Sequence, residues 1–86
     1  MKKYKYSYNI EKFADNEAFL QACRRIEQAG ITDLQKEQLA VDVDGSLLQL
    51  YYVPHGRIIV FNDYYVGAVY VDSDIDLSHL FTVASF

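Results

Sequence analysis

Between Leu39 and Val71 the turn-forming residues fall too close together for the chain to cross over a sheet. Asp44-Gly45, Pro54-His55-Gly56 and Asn62-Asp63 divide this stretch into runs of five to eight residues. Parallel neighbours need a connection of about a dozen residues or more, so consecutive runs can pair only as antiparallel hairpins. The runs LAVDV, SLLQLYYV, RIIVF and YYVGAVYV are rich in β-branched and aromatic residues, as strands are. They predict a four-stranded antiparallel meander. Asp44-Gly45 serves as a two-residue hairpin turn, since both residues accept positive φ. Pro54-His55-Gly56 and Asn62-Asp63 make the other two turns.

One segment has a helical period instead. In DNEAFLQACRRIEQAG, Phe19, Ala22, Cys23 and Ile26 follow the i, i+3, i+4, i+7 spacing of a buried stripe. Asp15 can cap the start, Glu17 suits the positive end, and Gly30 stands where a left-handed residue closes a helix. The spacing predicts a helix near residues 15–29, packed on Val41, Val43, Leu48, Leu50 and one face of the last strand pair. TDLQKEQ reads as an extra helical turn anchored by Ile31 and Leu34. KKYKYSYNI alternates lysine or serine with Tyr4, Tyr6 and Tyr8, which predicts an N-terminal edge strand whose lysines discourage further pairing. DLSHLFTVASF sets Leu77, Leu80, Phe81 and Ala84 at helical spacing, a short C-terminal helix or turn capped by Asp74 or Asp76. The expected fold class is α+β: a single domain, residues 1–86, with the meander packed against one main helix.

Charge narrows the function. The net charge is −4, and residues 38–86 hold one cation, Arg57, against six aspartates, a net of −5. Such a surface repels a phosphate backbone, so direct nucleic-acid binding is not expected. The longest apolar run, YYVGAVYV, falls far short of the roughly 18 residues of a membrane helix. The N-terminal lysines are not followed by the apolar core of a secretory leader. Together with a single cysteine, Cys23, this makes a cytoplasmic protein the expectation.

Asp72, Asp74 and Asp76 match the first three ligand positions of a calcium-binding loop. The sixth position should be glycine and is Leu77; the twelfth should be glutamate and is Val83. Two aspartates with His79 could hold a transition metal, but the spacing is ordinary for a strand end leading into a cap. No metal and no cofactor is expected. Cys23 lies on the apolar stripe and His55 in a turn, so neither forms a nucleophile–base pair with His79. No serine elbow, phosphate loop or CxxC is present. An enzyme is not expected.

Eight tyrosines and no tryptophan suit a contact surface, because tyrosine is favoured at interface hot spots. In SLLQLYYV, Leu48, Leu50 and Tyr52 are expected inward, with Gln49 and Tyr51 outward. The candidate partner-binding set is Tyr51, Asp63, Tyr64, Tyr65, Tyr70, Asp72, Asp74 and Asp76. Aspartates beside tyrosines would steer a basic protein. The resulting expectation is a small acidic inhibitor of the immunity or antitoxin type that blocks a basic protein such as a nuclease. A structural module that forms a homodimer through its tyrosine face stands second.

Overall fold

The backbone of Asp15 is extended, and its carboxylate accepts the Glu17 N–H at 3.0 Å. Helix α1, Asn16–Glu27, therefore starts where its cap was expected. Its end is closed by the Gln28 N–H on the Arg24 carbonyl, and Gly30 takes the left-handed step just beyond, at φ +75°. These come from a computed structural model that describes residues 4–81.

The strands are β1 (Tyr6–Glu11), β2 (Gln35–Lys36), β3 (Ala40–Val41), β4 (Leu47–Val53), β5 (Gly56–Asp63) and β6 (Ala68–Ser73). They form a six-stranded antiparallel sheet in the order β1-β6-β5-β4-β2, with β3 beside β4. The expected meander is there as β3-β4-β5-β6, but four strands undercount the sheet. The N-terminal strand β1 joins the far side of β6, with Tyr8 opposite Val71.

The second addition corrects the helical turn expected in TDLQKEQ. Asp33 sits at φ +57°, which breaks a helical path, and Gln35–Lys36 then pair with Tyr52–Tyr51. The Glu37 N–H continues onto the Leu50 carbonyl at 3.0 Å. The open edge of β4 offered these residues hydrogen bonds that an isolated helical turn could not match.

Two turns also differ from expectation. Asp42 N–H bonds the Ser46 carbonyl and Gly45 N–H the Asp42 carbonyl, so the loop is three residues long with Gly45 at φ +89°. Asn62 and Asp63 belong to β5, and the reversal falls on Tyr64–Val66 with Gly67 at φ +76°. Asp63 makes that loop by accepting the Tyr65 and Val66 N–H groups on one oxygen, an aspartate-led turn. At the C-terminal end, Leu77 to Phe81 make a single turn closed on the Leu77 carbonyl. Val83 and Ala84 lie outside the described residues.

The core lies between α1 and one face of the sheet. Phe19, Ala22, Cys23 and Ile26 pack as expected, with Tyr8, Ile58, Val60, Val69, Val71, Leu77 and Phe81. The inward set of β4 is the reverse of the expected one. Gln49, Tyr51 and Val53 point in, and Leu48, Leu50 and Tyr52 point out. Gln49 can be buried because its amide donates to the Glu37 carbonyl at 2.6 Å. Val41 and Val43, expected in the core, are 65% and 103% exposed. Ile26→Ala should accordingly lower stability by about 2–5 kcal/mol. Val43→Ala should change it by less than about 0.5 kcal/mol. Denaturation midpoints of the two variants test this assignment.

Candidate functional site

Tyr51 was expected on the surface and is fully buried. Its hydroxyl donates to Glu27 at 2.5 Å, and Glu27 pairs with Lys36 at 3.0 Å. Burial pushes the pKa of the Tyr51 phenol up and keeps it neutral, reinforced by the Glu27 carboxylate and the Cys23 thiol. Burial also works against the Glu27 carboxylate, but the Tyr51 hydroxyl and Lys36 ammonium hold it below its ordinary range. The same burial pushes the Cys23 thiol up, the opposite of an activated nucleophile. This cluster ties α1 to β4 and β2. Tyr51 belongs to it and not to a contact surface.

The three C-terminal aspartates have separate tasks. Asp72 accepts the Ser7 hydroxyl at 2.8 Å and links β6 to β1. Asp74 accepts the Arg57 N–H at 2.9 Å and lies against Gly56, where a Cβ would overlap its carboxylate. Asp76 caps the last turn through the Ser78 N–H at 2.8 Å, and the Ser78 hydroxyl together with that N–H holds its carboxyl below the usual range. Tyr8 accepts the Leu77 N–H at 2.7 Å and reaches Asp76 at 3.4 Å. Among the described residues no three His, Cys, Asp or Glu side chains are placed to hold a metal ion. Nor is any helix among them long and apolar enough to cross a membrane.

The sheet face turned away from α1 has an apolar centre. Leu48, Leu50, Ile59, Phe61 and Tyr70 stand on it half-exposed. Phe61 and Tyr70 stack across β5 and β6 with ring centroids 4.6 Å apart. Antiparallel sheets covered on one side ordinarily alternate apolar and polar, and here both sides are apolar. Tyr70 also donates to Asp63 at 3.3 Å. Burial, then the Asp63 and Asp72 carboxylates, push its ionisation up to about 12.

This face ends in a groove of about 660 Å³ between the two hairpins that follow β3 and β5. Leu48, Phe61 and Tyr65 give it apolar walls on this face, Val41 and Leu47 border it at the sheet edge, and Asp42, Asp44 and Asp63 supply three carboxylates. None of its lining residues is a cation. Asp44 is held below its usual range by the Ser46 N–H and hydroxyl. Tyr65 is 91% exposed at the rim; Tyr64 is half tied down, its ring over Gly45 and its hydroxyl on Asn16 at 3.1 Å.

Of the sequence candidates, the fold brings Asp63, Tyr64, Tyr65 and Tyr70 together. Asp74 and Asp76 lie beyond the opposite end of β6, whose length is about 17 Å at ~3.3 Å per residue, and Asp72 is near that end. Missed were Val41, Asp42, Asp44, Leu48 and Phe61. Their signal was the alternation of Leu39, Val41 and Val43 with Asp42 and Asp44, which reads equally well as a buried strand. Comparison with protein-family models, with curated proteins and with solved structures returned no match to this chain.

The buried phenols set an alkaline limit. Tyr8, Tyr51 and Tyr70 are all raised above the ordinary tyrosine value, first by burial and then by neighbouring carboxylates. Unfolded tyrosines ionise near 10, so the fold favours the neutral phenols. That contribution is whole below about pH 10 and is lost as pH rises through the folded values. Melting temperature should fall above about pH 10, and Tyr70→Phe should flatten the fall. Ultraviolet titration should show some of the eight tyrosines lagging the rest.

Proposed function

We propose that this protein is a small acidic, non-catalytic binding protein of the inhibitor type, of the kind that serves as an immunity protein or antitoxin. It acts in the cytoplasm by covering a basic protein partner such as a nuclease. The observation that supports this reading is the apolar sheet face running into a carboxylate-walled groove. A partner surface with an apolar centre would bury Leu48, Leu50, Ile59, Phe61 and Tyr70. Its cations would meet Asp42, Asp44 and Asp63, speeding encounter and setting orientation. Nothing in this scheme needs a catalytic group or a cofactor.

A two-fold pairing of copies across the same face is the second reading. Arg57 stands at one end of β5 and Asp63 at the other, so an antiparallel pair would bring opposite charges together.

The test is retention of host proteins on the immobilised parent and on a Phe61→Glu variant with an unchanged fold by circular dichroism. The parent should hold a basic protein at low ionic strength, release it steeply with salt, and the variant should not hold it. Equal retention by both proteins, or none by the parent, refutes the reading. Salt-insensitive self-association on sedimentation favours the paired copies.

A further inference from the structure

The groove opens onto an unusual sheet edge. Residues 35–44 are exposed along their whole length, and among the described residues β3 pairs with β4 on one side only. The other edge, β1, has the features that discourage pairing: Lys5 near its start and a register shift between Asn9 and Glu11. The β3 edge carries no lysine between Glu37 and Gly45, and its own one-residue register slip against β4, between Glu37 and Ala40, lies before the stretch that pairs. Its side chains alternate Leu39, Val41 and Val43, all strongly exposed, with Ala40, Asp42 and Asp44.

Backbone direction follows from the hairpin. The Asp42 N–H is spent on Ser46 across the turn, and in an antiparallel ladder the hydrogen-bonding direction reverses at each residue. The N–H and C=O of Val41 therefore point away from β4. Ala40 shares its face with Leu48, so Ala40 and Asp42 lie on the open face of the sheet, beside the groove.

We infer that the β3 edge accepts an extended segment of the basic partner as an added strand, in which cationic and apolar residues alternate. This rests on the reading that the partner is basic, and adds where and in what conformation it binds. Period two assigns the residues. Side chains of the added strand on the open face meet Asp42, with Asp44 and Asp63 close by, and are lysine or arginine. Those on the other face meet Val41, flanked by the exposed Leu39 and Val43, and are aliphatic. Tyr65 at the groove rim supplies a ring for a guanidinium. Main-chain bonds give affinity and the alternate side chains give specificity, as in other strand additions.

The probe is a short blocked peptide alternating isoleucine with arginine, beside one of the same composition with its arginines at one end. A third peptide carries N-methyl groups on alternate amides. Binding is followed by fluorescence anisotropy at two ionic strengths. The alternating peptide should bind tightest, and N-methylation should weaken it about tenfold or more, as loss of main-chain bonds requires. Val41→Pro removes only an outward N–H and should abolish the preference at an unchanged melting temperature, while Val41→Thr keeps it. Equal, salt-sensitive binding of all three peptides overturns the edge pairing and leaves the basic-partner reading standing. No binding of any peptide at low ionic strength overturns both.

Discussion

A buried amide and a buried phenol hold the two ends of one helix to the sheet, and the rest of the molecule is arranged around them. Asn62, fully buried on β5, accepts the Asp15 N–H at 3.0 Å and donates to Asn16 at 2.7 Å. It thereby satisfies groups at the helix start that an apolar residue would leave unpaired. Tyr51 does the same at the other end through Glu27. Twelve residues of helix span about 18 Å, enough for one sheet face and not two. Once these two contacts place α1, the opposite face has no helix among the described residues to cover it. The surface assigned to a partner is a consequence of how the core is anchored.

The local elements were legible in the sequence because their causes are local. Asp15, Glu17 and Gly30 determine the helix ends, and the stripe of Phe19, Ala22, Cys23 and Ile26 determines its buried side. Close turn spacing dictated antiparallel pairing. What could not be read was the facing of β4. Both of its side-chain sets are largely apolar, so hydrophobicity does not choose between them, and a one-step error of parity inverts every residue. Gln49 made the wrong choice look right. Its burial depends on the Glu37 carbonyl, twelve residues away, which no periodicity reveals. Val41 and Val43 were then drawn into the core by the same alternation.

The site was half legible for a related reason. Aspartates near tyrosines were visible as composition, but a carboxylate that closes a turn and one that waits for a partner look alike in a sequence. Asp72, Asp74 and Asp76 hold β1, the Gly56 turn and the last turn in place. Asp63 closes its own loop on one oxygen and takes Tyr70 on the other. Asp42 and Asp44 each use one oxygen within their hairpin, toward Val43 and Ser46. The groove acquires its charge because two turn-forming aspartate loops are brought side by side by the β4–β5 register, in which Leu47 faces Asn62.

That origin bears on how such a surface tolerates change. The carboxylates at the groove also shape the loops that carry them, so replacing Asp63 disturbs the turn as well as the charge. The apolar residues between them carry no such double duty. Val43 touches little, and Val41 offers its outward backbone whatever its side chain. On the proposed reading, affinity for a partner can therefore be adjusted at Leu39, Val41, Val43 and Tyr65 without disturbing the core, while the aspartates keep both the hairpins and the sign of the field. A protein that must match one basic partner closely gains from this division: the charged frame is held by the fold, and the contacts that discriminate between partners lie on exposed side chains.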